Sequence, residues 1–161
     1  MNVWRGSLAG ILAGAAGTTA LNAVSYVDMV MSARPASNTP EETIKKLEVA
    51  VNFTVPGDDE QRENRITALG PITGILVGVT VGAVLGIARS LGWRPSPIVL
   101  AIVGAGSVLI GSNGPMTILG VTDPRTWTAK AWVSDIVPHL AFGAATAAVL
   151  WKVKTEPLRP D

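Results

Sequence analysis

The sequence predicts an all-α polytopic membrane protein, a bundle of four transmembrane helices, and three observations predict it. Glycine recurs at every fourth position, at Gly70, Gly74, Gly78, Gly82 and Gly86, with almost entirely apolar residues between. Hydrophobic residues make up 48% of the 161 and charged residues only 16%, against about 25% charged in a soluble domain. The charges also avoid four long stretches. In water each internal glycine costs a helix about 1 kcal/mol relative to alanine. In a bilayer the backbone has no water to bond and stays helical. A glycine row then becomes a trough into which a second helix sinks. The expectation is a single integral membrane domain over 1–161, with spans at about 7–31, 69–88, 97–119 and 136–153. Its packing is expected to be of the glycine-zipper kind, and a polar helical insert is expected at 34–65.

The first span, about Ser7 to Met31, carries only Asp28 as a charge and exceeds the ~20 residues a spanning helix needs. That length argues against a cleaved signal peptide, although Arg5, the apolar run from Leu8 and the small residues Thr18 and Ala20 imitate one. Gly6, Gly10, Gly14, Thr18, Asn22 and Tyr26 repeat the four-residue rhythm. Two such ladders pack best at a right-handed crossing near −40°, so the first and second spans are expected to cross through them, with Gly10 and Gly14 as packing positions.

Within the insert, Thr39 reads as an N-cap, with Pro40 at the first helical position and Glu42 completing a capping box. Ile44, Leu47 and Val51 give the following helix one apolar face, suited to lie on the membrane or cover the bundle. Val55-Pro56-Gly57-Asp58 reads as a turn, and Asp58 to Leu69 as a charged helical piece leading into the glycine row. Pro71 is either the first residue of the second span or a kink that frees the Thr67 carbonyl. The third span is uninterrupted only to Gly111, about 22 Å at 1.5 Å per residue. Ser112-Asn113-Gly114-Pro115 then reads as an interruption, either an ordinary span end or a broken helix of the kind transporters use. Asp123-Pro124 signals another helix start, and Trp127 and Trp132 suit an interfacial belt. The fourth span is expected from about Ile136, and Pro138 falls in its first turn if Asp135 is the N-cap. Trp151, Lys152 and Lys154 mark its exit, and Glu156 to Asp161 form a tail.

Composition excludes much. There is no cysteine, which removes thiolate metal sites and cysteine nucleophiles, and a single histidine forbids a His-cluster metal site within one chain. Thirteen basic against twelve acidic residues give no basic excess for nucleic acid. No phosphate loop, nucleophile elbow or calcium-loop spacing occurs. No catalytic residue, metal or cofactor is expected.

Four spans return both termini to one side. That side holds Arg5, Arg89, Arg94, Lys152, Lys154 and Arg159 in short segments near helix ends. Basic density of this kind marks the cytoplasmic face, so we expect a multi-pass protein of the bacterial cytoplasmic (inner) membrane with cytoplasmic termini. The up-and-down order then gathers Asn22, Tyr26, Asp28, Arg65, Asn113, Asp135 and His139 in the opposite leaflet. Polar groups at such depth are costly unless paired and mark a functional hypothesis.

Asp28, Asn113, His139, Asp135 and Asn22 are therefore the candidate proton or ion site. Asp28 can bind a proton or cation, or can anchor the loop by pairing with Arg34 or Arg65. His139 can sense pH and relay a proton to Asp28 or Asp135, or can bond a neighbouring backbone group at a helix start. The glycines Gly70 to Gly86 can pack within the chain or offer a face to another subunit.

In the run Gly6 to Ala23, in Arg34-Pro35-Ala36-Ser37, in Gly120-Val121-Thr122-Asp123-Pro124-Arg125-Thr126-Trp127 and in Pro138-His139-Leu140, the chain resembles small uncharacterised four-helix integral membrane proteins of actinobacteria. That resemblance implies the fold and assigns no activity. The leading functional expectation is a non-enzymatic accessory or packing subunit, surrounded by the lipid bilayer, that forms a homo-oligomer or joins a membrane complex. The alternative is a small transporter or channel for a proton, ion or small solute. A membrane-embedded enzyme lacks a visible nucleophile–base pair.

Overall fold

The structure is a computed structural model and describes residues 2–153. The Lys154 exit mark, Arg159 and the tail from Glu156 to Asp161 lie outside the described residues. Within them the chain is all-helical: α1 (Val3–Ser32), α2 (Thr39–Val51), α3 (Asp59–Ser90), α4 (Pro97–Ile118) and α5 (Ala129–Lys152), with one 3-10 turn at Pro124–Thr126. Four of these, all but α2, are long and apolar enough to cross a membrane. They form a helical bundle of the membrane-spanning type.

Helix α1 starts on Asn2, whose side chain accepts from the Arg5 amide at 2.9 Å, and stops at Ala33 in the left-handed region. It packs most extensively on α3 and next on α5, while α4 packs mainly on α5 and only lightly on α3. The α1–α3 contact is backbone on backbone. A Cβ built on Gly10 would come within 3.0 Å of the Gly82 carbonyl and the Ala83 Cα. One on Gly82 would meet the Gly14 Cα at 2.6 Å, and one on Gly86 the Gly10 Cα at 2.8 Å. Gly78 sits against Thr18 and Phe142. On the other flank of α1, Gly17 faces Phe142 and Thr146, and the Thr146 hydroxyl donates to the Ala13 carbonyl at 3.3 Å. Gly143 of α5 abuts Ala101 and Ala105 of α4. The largest fully buried side chains are Phe142, Ile66, Leu100, Leu150 and Thr146. Ala13, Leu85, Leu100, Ala147 and Leu150 form the central cluster.

Two glycines of the row do not join the α1 contact, although Gly70 still packs on a helix. A Cβ on Gly74 would meet nothing within 4 Å, and one on Gly70 would meet Pro40 of α2 rather than α1. The cause is rotation: each four-residue step turns about 40° around a 3.6-residue helix. Three rungs, Gly78 to Gly86, face α1, and the next two have turned away.

Several boundaries also differ from those expected. Thr39 is the first residue of α2, not its cap; Asn38 holds that place without a side-chain bond, the second helical position being Pro40, which has no N–H to offer, while the Ser37 hydroxyl accepts from the Thr39 amide at 3.2 Å. The charged piece after Asp58 and the second span are one 32-residue helix, capped by Asp58 through the Gln61 amide at 2.9 Å. Pro71 lies inside it and removes only its own bond to the Thr67 carbonyl.

Helix α4 runs unbroken through Ser112-Asn113-Gly114-Pro115. Its 22 residues measure about 33 Å, enough for a ~30 Å hydrocarbon core. Asp123-Pro124 opens only the 3-10 turn, where Arg125 folds back on Asp123 at 2.9 Å. Helix α5 begins at Ala129 on a Thr128 cap, well before Ile136, so Asp135 is interior and Pro138 is a buried mid-helix residue.

Candidate functional site

The placement of Asp135 inside α5 changes what it can do. An N-cap carboxylate would be spent on backbone amides; an interior one projects sideways toward α4. There the Asn113 amide nitrogen donates to Asp135 Oδ2 at 2.8 Å. One turn further along α5, the His139 Nδ1 lies 2.6 Å from the Asp135 carbonyl oxygen and 3.7 Å from Asp135 Oδ1. A carbonyl only accepts, so Nδ1 carries the proton. His139 Nε2 faces the Ser112 hydroxyl of α4 at 3.2 Å. Ser112, Asn113, Asp135 and His139 thus form one polar clasp between α4 and α5, and His139 is buried within it.

The Ser112 hydroxyl has one proton and three oxygen or nitrogen neighbours. It lies 2.9 Å from the Val108 carbonyl and 3.2 Å from the Leu109 carbonyl as well as 3.2 Å from His139 Nε2. With the proton on Nδ1, Nε2 is an acceptor, and the single Ser112 proton is shared between it and the carbonyls of its own helix. The sequence marks Ser112 only as part of an expected interruption; the continuity of α4 instead sets it directly against His139 of α5.

The other two candidates do not join the clasp. Asp28 accepts from Arg34 Nε at 2.6 Å, with both side chains about 30% exposed (31% and 29%). This is the loop-anchoring alternative, and Arg65 goes instead to the Pro56 carbonyl. Asn22 is half-buried on α1. No hydrogen bond among the described residues links Asn22 or Asp28 to the clasp. Their residues share an end of the bundle by topology, but Asp135 and His139 of α5 meet α4 rather than α1.

A second polar assembly holds the insert. The Glu48 carboxylate, buried on α2, accepts from the Val55 amide at 2.6 Å and from Arg62 of α3. The Val55 amide, and then Arg62, hold its carboxyl below the usual carboxylate range. Lys45 is raised, chiefly by its bond to Glu63 at 3.2 Å. Beneath, Ile44, Val55 and Ile66 form a small apolar cluster. A cleft of about 320 Å³, lined by Phe53, Val55, Pro56, Ala68, Leu69 and Ile72 with Arg65 at its side, opens beside it. A second, of about 310 Å³, lies over Glu48 and Arg62. Neither is lined by a residue of the clasp.

Among the described residues no group of three or more His, Asp or Glu side chains is arranged to hold a metal ion. No family model matches the chain, and neither a curated protein nor a solved structure matches it.

Proposed function

We propose that the protein is a non-enzymatic packing subunit of the bacterial cytoplasmic membrane, with cytoplasmic termini, which self-associates or joins a larger membrane complex. One observation carries this reading. The chain spends one set of glycines internally and leaves another open: a Cβ on Gly74 of α3, or on Gly106 or Gly114 of α4, would meet nothing within 4 Å. Small residues without a neighbour are where a further helix can approach closely. We read the α1–α3 contact as a glycine zipper and α2 as an amphipathic element resting at the membrane surface. Support for the latter comes from Leu47, Val49, Val51 and Phe53, which are exposed on or just after α2. The native mass of the detergent-extracted particle tests the proposal. A mass above that of one 16.7 kDa chain, after subtraction of detergent, is the expected result. A lone monomer without companions overturns it.

A second reading, a small proton or ion transporter, draws on the Ser112–His139 contact, whose proton has two alternative positions. Proton flux into proteoliposomes tests it, with Asp28→Asn and His139→Ala beside the wild type. Flux well above that of protein-free vesicles, abolished in His139→Ala, supports transport. Background flux in the wild type removes that reading.

A further inference from the structure

The end of the bundle opposite the clasp holds a different electrostatic problem. Arg89, in the last turn of α3, is only 6% exposed. Its Nη1 is buried without a hydrogen-bond partner. The guanidinium lies over the Trp151 ring at 5.8 Å, and Arg94, on the connection to α4, acts on it as a like charge. Arg5 and Lys152 stand at the adjoining ends of α1 and α5. Every acidic residue among the described ones lies toward the other end: on the last turns of α1, on the insert, on the start of α3, or between Asp123 and Asp135. Arg89 also complements the C-terminal dipole of α3, and the Trp151 face attracts it, but neither offsets the burial of a full charge without a counter-ion. Among the described residues no carboxylate is placed to neutralise it.

We propose that this end binds the phosphate of an anionic phospholipid, with the Arg89 guanidinium as the phosphate ligand and Trp151 as its wall. The geometry suits that ligand. A guanidinium fork matches two phosphate oxygens, Arg89 is in the last turn of a spanning helix, where a span meets the headgroups, and the Trp151 ring beside it is of the kind favoured at that depth. The site includes none of the open glycines and does not depend on the packing role.

The test reconstitutes the full chain in phosphatidylcholine vesicles, with and without phosphatidylglycerol, and follows thermal unfolding together with the lipid retained in native mass spectra. Wild type is expected to unfold at a higher temperature and to retain phosphatidylglycerol when it is present. Arg89→Met is expected to lose both effects. In phosphatidylcholine alone it should be as stable as wild type or more so, because it removes an uncompensated charge. Arg89→Lys, which keeps the charge but not the fork, should retain phosphatidylglycerol about fivefold less well than wild type. Equal response of wild type and Arg89→Met to phosphatidylglycerol overturns the proposal, as does equal stabilisation of wild type by inorganic phosphate in phosphatidylcholine vesicles. If a carboxylate of the tail neutralises Arg89 instead, wild type shows no response to phosphatidylglycerol and Glu156→Gln combined with Asp161→Asn creates one; that result overturns the lipid site, whereas a response of equal size in wild type and the double variant supports it.

Discussion

At the scale of single residues, the glycines of α3 are not equivalent, and their differences are measurable. A Cβ on Gly82 would press on the backbone of Gly10 and Gly14, which cannot move without separating α1 from α3. Gly82→Ala should therefore destabilise by about 1–3 kcal/mol, the usual cost of overpacking. Gly74→Ala meets open space and gains helix propensity, so it should leave thermal unfolding in detergent unchanged or slightly improved. Equal losses in the two variants would contradict the assignment of the contact to Gly78, Gly82 and Gly86. Spacing made the row legible in the sequence, because a four-residue repeat is a property of one helix. Which rungs touch a neighbour depends on where two helices cross, and no local pattern encodes that. Asp28 shows the same division. Its charge at a span end was legible, whereas its partner was not: the fold pairs it with Arg34, and Arg65 reaches the Pro56 carbonyl.

At the scale of elements, polar side chains join helices that apolar packing leaves loosely registered. Asn113 and Asp135 bridge α4 and α5 at 2.8 Å, and interhelical bonds in membranes contribute about 0.6–2 kcal/mol. A double-mutant cycle of Asn113→Ala and Asp135→Ala, read by thermal unfolding, should give a coupling in that range; strict additivity would mean that the bond contributes nothing. The insert depends on Glu48 in a pH-dependent way. Its carboxyl titrates below the ordinary value of 4.5 when folded, so the folded state binds fewer protons than the unfolded one. The stabilisation is complete above about pH 4.5 and is lost as pH falls through the lower, folded value. The Val55 amide shift should accordingly titrate with a midpoint below 4.5, and Glu48→Gln should abolish that titration. A midpoint above 4.5 would mean that the bond does not hold the carboxylate. The sequence misled at Pro115, Pro138 and Asp123-Pro124, where the local start-and-stop rules of soluble helices applied poorly. A proline within a span loses one bond, and neighbouring packing keeps the helix intact. Asp123 spends its side chain on Arg125 instead of starting a long helix.

At the scale of the whole molecule, the architecture follows from solvent more than from local preference. Four apolar helices were legible because the bilayer demands length and hydrophobicity of each segment separately. Their neighbours were legible only where glycine left a trough, as on α1 and α3. The outer surface remains oily: on α4 alone Ile98, Ile102, Ile110 and Ile118 are 61–86% exposed, which lipid or another helix must cover. The open glycines decide between those two covers. Lipid tails conform to a notch and gain little from it, whereas a helix gains close backbone contact there. Gly106→Ala and Gly114→Ala raise the floor of the notch, since a Cβ at either position meets no neighbour within 4 Å in the chain. If a second helix docks at α4, the double variant should extract as a lighter particle with unchanged thermal unfolding, because the internal bundle is intact. A double variant that retains the wild-type particle mass would show that association, where it occurs, uses another face.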